Sequence, residues 1–176
     1  MARVRAGDAG AYGDLVRRHA GTALRAAVFL GAGADAEDVV QESLVKAYRA
    51  LGGFRDGAPF RPWLLRIVAN ETRNLRRSAS RRGATEAASV LPEPVSDPEL
   101  SVEARARRAE LLTALEALPE SYRRVVTCRY LLELDERETA TVLGWPRGTV
   151  KSRLSRALRR LRVSLEPVDA GSEAHD

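Results

Sequence analysis

The chain has 176 residues, with 29 Lys+Arg against 24 Asp+Glu and a net charge of +5. That length fits one domain or two small ones, and 44% hydrophobic residues allow a packed core, while 5% aromatics argue against base stacking as the main binding mode. The single cysteine, Cys128, excludes an internal disulfide and a multi-cysteine zinc site, and the two histidines, His19 and His175, lie far apart in the chain.

The first residues, MARVRAGDAG, lack the apolar run of a secretory signal. The uncharged stretch AAVFLGAGA (26–34) is too short to span a bilayer, so no membrane insertion is expected and the chain reads as cytoplasmic. A first helix is predicted over about 8–30. Its stripe is Tyr12, Leu15, Val16, His19, Ala23, Ala26, Ala27 and Leu30. GAGAD breaks it, and Asp35 is placed to cap a second helix over 36–51 with Val40, Leu44, Ala47, Tyr48 and Leu51 inward. The early turns of that helix are acidic, with Asp35, Glu37, Asp38 and Glu42 and no base, which suits the positive end of a helix dipole.

GGFRDGAPFRP then reads as a loop carrying Phe54 and Phe60. A third helix follows over 62–77. Arg66, Asn70, Arg73, Asn74 and Arg77 stand at i, i+4, i+7, i+8 and i+11 and share one face. Segment 61–82 holds seven arginines and one acid, Glu71. Amides and guanidiniums are the groups that bond base edges in bidentate fashion.

Residues 83–96 lack periodicity and read as a flexible linker. Through residue 103 the stretch has five acids and no base, the reverse of its flanks. Asp97-Pro98 looks like the cap and first residue of a fourth helix that ends at Leu118-Pro119. A fifth helix covers 120–133 with Tyr122, Val125, Val126 and Tyr130. DERE (135–138) suggests a capping box, Asp135 with Glu138, at the start of a short sixth helix that buries Ala140 and Leu143. After GWP comes GTVKSRLSRALRRLR (148–162), with six basic side chains and no acid. Val150, Leu154, Ala157, Leu158 and Leu161 form its apolar stripe. Lys151, Arg153, Arg156, Arg159, Arg160 and Arg162 fall off that stripe.

A solvated face with dipole-friendly charges would explain part of this pattern. A short helix, a Gly-containing turn and a basic amphipathic helix also make a helix-turn-helix. In that reading Arg147, Thr149, Lys151, Ser152, Ser155 and Arg156 reach base edges, and later arginines such as Arg159 hold phosphates. Two basic faces separated by an acidic linker favour a nucleic acid as partner.

DAEDVVQESLVKAYRAL, FRDGAPFRPWLLRIVANETRNLRR and LGWPRGTVKSRLSRALRRLR, in that order, resemble the extracytoplasmic-function (ECF, group IV) sigma factors of RNA polymerase. The resemblance covers about 7–165. It implies an all-α fold of two small helical domains joined by a flexible linker. Residues 7–82 would be sigma region 2, 83–97 the acidic linker, 98–165 a region 4 helix-turn-helix, and 166–176 a disordered acidic tail. It also implies that Asp38, Gln41 and Glu42 dock on core RNA polymerase. Phe54 and the loop to residue 60 would take a flipped-out base of the promoter −10 element. Arg66, Asn70, Arg73, Asn74 and Arg77 would support melting and reading of that element, and the 147–162 helix would read the −35 element as duplex. Promoter DNA and core polymerase are the implied partners, an anti-sigma factor is a further candidate, and no cofactor or metal is implied. Pro146 stands where the family usually has a Ser-like cap, so it should be the cap or first residue of the last helix. Arg147 stands where an acid is common.

The competing readings are a stand-alone helix-turn-helix regulator and a serine recombinase. The first leaves the 61–77 face and the acidic turns unexplained. The second needs a nucleophile, and Ser43, the one serine before residue 78, sits mid-helix without a base. No catalytic residue is expected.

Overall fold

Asp8 opens the first helix of a computed structural model that describes Val4 and residues 8–55, 57–81 and 101–166. Its side chain accepts from Ala11 N at 2.9 Å, and α1 runs Ala9–Phe29. Ala23, Ala26 and Ala27 are fully buried on its inner face, where small side chains let the next helices approach closely. A 3₁₀ turn, Gly33–Asp35, leads into α2, Ala36–Ala50. Asp35 holds the cap position but makes no capping bond, contrary to expectation. Its ψ of 10° continues the 3₁₀ turn, whereas a capping side chain needs extended backbone to reach back to the helix amides. Ser43 is fully buried on α2, which removes it as a nucleophile.

α3 spans Phe60–Arg81, longer at both ends than the sequence pattern suggests. Pro62 is tolerated because it lies in the first turn, where amides have no intrahelical acceptor. α1, α2 and α3 pack on one another. Leu64, Leu65 and Val68 are at most 1% exposed at the centre of this bundle. Burial of each such side chain is worth roughly 1.5–3 kcal/mol. Tyr12 donates to Leu44 O at 2.5 Å, and its ring lies 4.9 Å from that of Tyr48, which sits half-exposed at the rim rather than in the core.

The second bundle begins with α4, Val102–Ala117, capped by Ser101, whose hydroxyl accepts from Ala104 N. Asp97 and Pro98, the expected start, lie outside the described residues, as do the whole of the 83–97 linker and the tail beyond Glu166. α5 covers Glu120–Val126 and passes into a π-helical turn, Thr127–Leu131. One residue inserted into the helix rotates everything after it by about 100°. Thr127 and Cys128 therefore turn inward, and Tyr130, expected inside, is 57% exposed. α6, Glu136–Leu143, starts with the expected capping box of Asp135 and Glu138. It buries Thr139, Val142 and Leu143, with Ala140 only partly covered. Gly144 ends α6 in the left-handed region at φ 67°, a conformation glycine adopts without strain. α7, Arg147–Leu165, follows with Pro146 as its N-cap. Its stripe is as expected except that Leu158 is 39% exposed.

α4, α5 and α6 pack on α7, and α6 also packs on α3, so the two bundles meet. No strand occurs among the described residues, and no helix there is long and apolar enough to cross a membrane.

Candidate nucleic-acid interface

The α7 helix carries the more open of the two basic faces. Arg147, Lys151, Ser152, Ser155, Arg156 and Arg159 are exposed, and Thr149 is half-buried. Among the described residues, Lys151, Arg156 and Arg159 have no ion-pair partner within α7 or its neighbours. Their positions, i, i+5 and i+8, place them along one side of the helix. Ser152 donates to Thr149 O at 3.2 Å, which keeps its hydroxyl near the first turn. Arg147 is held differently: its Nε lies 3.0 Å from Glu136 Oε1, tying the start of α7 to the start of α6.

Two of the six basic residues in 148–162 also make ring contacts within their own bundle, Arg153 half-buried and Arg160 still exposed. Arg153 lies over the Trp145 ring at 4.2 Å, and Arg160 over Tyr122 at 5.3 Å. Each such contact is worth about 0.5–2 kcal/mol. They fasten α7 to its own bundle. Arg124 approaches the other side of the same region, 5.7 Å from the Trp145 ring. Arg123 and Arg124 are both buried, which the sequence pattern does not reveal. Arg123 Nη1 donates to Glu116 O at 3.0 Å and so closes off carbonyls at the end of α4. Burial pushes both guanidiniums below their ordinary pKa.

On α3, Arg66, Asn74 and Arg77 are exposed and Asn70 and Arg73 half-buried, all on one side of the helix. Arg73 Nη2 donates to Asn70 Oδ1 at 2.8 Å, which orients both polar ends together. Phe54 is not part of this surface. It is 3% exposed, with its ring 4.9 Å from Trp63 and 6.0 Å from Phe60. His19 completes the cluster at 5.2 Å from Phe60, and burial pushes its pKa down, as befits a packed residue. Phe54 therefore anchors the loop from inside, a correction to its expected role as the residue that receives a base. Among the described residues of that loop, Gly52, Gly53, Arg55, Gly57 and Pro59 are exposed.

Asp38, Gln41 and Glu42 are all exposed, at i, i+3 and i+4 on α2, with Val45 continuing the same side. Glu42 lies 3.3 Å from Lys46, which also meets Glu71 of α3 at 2.6 Å and takes a raised pKa chiefly from that bond. No group of three or more His, Cys, Asp or Glu able to hold a metal occurs among the described residues.

Residues 11–82 match the family model of sigma-70 region 2, and residues 108–161 match that of sigma-70 region 4. The ECF RNA polymerase sigma-E factor of Salmonella typhimurium is 33% identical, over 94% of this chain and 92% of that protein. The chain belongs to the ECF sigma factors. Another relative, the RNA polymerase sigma factor NccH of Alcaligenes xylosoxydans xylosoxydans, is 34% identical over 93% of this chain and 91% of its own length. Among solved structures, CnrH in complex with the cytosolic domain of CnrY superposes with a TM-score of 0.67 at 30% identity, covering 92% of each chain. The sigma factor RpoE in complex with the anti-sigma factor NepR, from Bartonella quintana, gives 0.69 at 28%, covering 89% of this chain and 98% of that one. This sigma factor directs transcription initiation through RNA polymerase and is not an enzyme. The stand-alone regulator and recombinase readings fall with that membership.

Proposed function

We propose that this sigma factor divides promoter recognition between its two basic helices, with region 2 over 7–82, a linker over 83–97 and region 4 over 98–165. Asp38, Gln41 and Glu42 dock on core RNA polymerase. Their carboxylates and amide stand exposed on one face of a helix whose opposite side is fixed in the core. Arg66, Asn70, Arg73, Asn74 and Arg77 read and help melt the −10 element, with the glycine-rich loop before α3 beside them. Lys151, Ser152, Ser155 and Arg156 read the −35 duplex, Thr149 and Arg147 lie at the entering end, and Arg159 holds phosphate. Such phosphate contacts add affinity without sequence information.

The observation that carries this reading is the outward set Lys151, Arg156 and Arg159, without an ion-pair partner among the described residues, on a helix whose other side contacts Trp145 and Tyr122. A helix so fixed presents its free charges to a groove with little reorganisation. An anti-sigma factor is proposed as a further partner, by likeness to the NepR-bound RpoE. The chain is proposed to work in the cytoplasm, where core polymerase meets promoter DNA.

Run-off transcription with purified core polymerase tests the reading. A promoter-dependent transcript should appear only when this chain is added. Asp38→Arg combined with Gln41→Ala should abolish capture of core in a pull-down while the helical circular dichroism is unchanged. Undiminished capture by that variant would show the docking face to lie elsewhere.

A further inference from the structure

Arg73 and Arg76 of α3 and Arg123 and Arg124 of α5 come together in one cluster, and they are not equally provided for. Arg123 is buried, but its Nη1 has the carbonyls of Glu116 and Leu118 as acceptors, at 3.0 and 3.5 Å. At the start of α3, Arg61 Nη2 likewise donates to Leu132 O at 2.7 Å. Arg124 has no such acceptor. It is 9% exposed, and its Nη2 is enclosed without a hydrogen-bond partner among the described residues. The Trp145 ring, 5.7 Å from that guanidinium, offers a π face rather than an oxygen. Arg73 Nε is enclosed and unpartnered in the same way, although Nη2 of that side chain meets Asn70.

The cluster is also short of negative charge. Glu120 acts on both Arg123 and Arg124, and Glu116 on Arg123. Burial first, and then the Arg73 charge, push the Arg124 pKa down. Glu120 is a weak counter-ion. Its Oε1 stands 3.5 Å from Arg76 Nη1, and its side chain is 50% exposed. A charge-assisted hydrogen bond of full strength is shorter, about 2.7–2.9 Å. A buried cation that lacks both a counter-ion and an acceptor is costly. A phosphate group supplies both. It carries about −1.5 to −2 charges at neutral pH, and its oxygens fit the guanidinium fork in pairs.

We propose that Arg73, Arg76 and Arg124 form a binding site for a small phosphate-bearing anion, which enters beside Arg76 and displaces Glu120 from it. The site does not depend on the promoter reading given above, because its ligand is a free anion small enough to lie between the helices. Arg76 stands at the outer edge, 31% exposed, and Arg124 at the closed end. Arg73 Nε and Arg124 Nη2 are the enclosed donors left for a phosphate oxygen. Inorganic phosphate and the phosphoryl groups of a nucleotide share the required chemistry. Glu120 competes for the same guanidiniums, so removing it and removing Arg124 should have opposite effects on binding.

The test is isothermal titration calorimetry of the full chain with inorganic phosphate, at an ionic strength held constant with sodium chloride. Saturable binding is expected, and the thermal midpoint should rise as phosphate replaces chloride. Arg124→Met removes the buried charge and keeps an unbranched apolar stem. It should weaken binding about tenfold or more, while its midpoint without phosphate is kept or raised. Glu120→Gln should tighten binding. A second titration with adenosine triphosphate identifies the source: tighter binding than phosphate points to a nucleotide and weaker binding to the free ion, and either supports the site. No response beyond that to chloride overturns it. Phosphate affinity left unchanged by both variants overturns it as well, because the anion then sits on another basic face. Should Arg124→Met fail to fold, Glu120→Gln decides alone, and unchanged affinity in that variant overturns the site.

Discussion

The two basic helices of this sigma factor use their charge in opposite ways. On α7, Arg153 and Arg160 lie over rings of their own bundle, and Lys151, Arg156 and Arg159 are left outward. On α3, Arg61, Arg73 and Arg76 are half-buried against the other bundle, and Arg66, Asn74 and Arg77 remain exposed. One helix is anchored so that it can present charge; the other has part of its charge, at Arg61, Arg73 and Arg76, taken up by its own chain. Net charge alone would make the two surfaces look equivalent. What separates them is which guanidiniums already have a neighbour.

The largest effect that can break this comparison is at Phe54. As a buried anchor, Phe54→Ala should lower the unfolding free energy by about 3–5 kcal/mol, read as a fall in midpoint in urea denaturation. If the ring instead served a flipped base, stability would hold and only promoter opening would fail. Next come the two classes of charge on α7. Lys151→Ala or Arg156→Ala should weaken binding to −35 duplex by ~1–3 kcal/mol where a bidentate base contact is lost, with the thermal midpoint unmoved. Arg153→Ala should do the reverse, costing about 0.5–2 kcal/mol of stability through its lost ring contact. A gel-shift titration beside a melting curve distinguishes them, and equal behaviour of Arg153 and Arg156 would erase the distinction between anchoring and presenting charge. The smallest effect is expected at Lys46, which bridges Glu42 and Glu71 from a half-exposed position. Lys46→Met should cost under about 1 kcal/mol. Because its bond to Glu71 raises the Lys46 pKa, that contribution is present below the lysine's ordinary pKa and fades as pH climbs through the raised value. The urea midpoint of the unaltered chain should therefore exceed that of the methionine variant at neutral pH, and the two should converge only as the pH passes the raised value, above 10.5.

Much of the fold was legible because helical period and capping residues act locally. The Asp135–Glu138 box, the stop at Gly144 and the start of α7 after Pro146 need only neighbours in the chain. The candidate faces were legible: spacing placed Arg66 with Asn70 and Arg73 on one side of α3, and set Lys151 and Arg156 off the apolar stripe of α7. What spacing does not encode is the partner across a contact. The π turn after Val126 moved Tyr130 outward through a packing demand with no composition signal. Phe54 turned inward because Phe60, Trp63 and His19 together make a pocket for it. Arg123 and Arg124 could be buried because the carbonyls ending α4 and the Trp145 ring receive them, a match between residues that no single-helix pattern displays. Trp145 and Tyr122, two of the few aromatics in the second bundle, were the available hint that some arginines of α7 would turn inward.

The proposed division of labour between the helices has one direct measurement. Core polymerase is reconstituted with Asn70→Ala or Arg156→Ala, and run-off yield and permanganate reactivity of the −10 thymines are compared on duplex and pre-melted templates. Pre-melting should restore Asn70→Ala, whose defect lies in opening, and should leave Arg156→Ala impaired, since its −35 contact is to duplex in both templates. Equal rescue of the two variants would contradict the assignment of opening to α3 and duplex reading to α7.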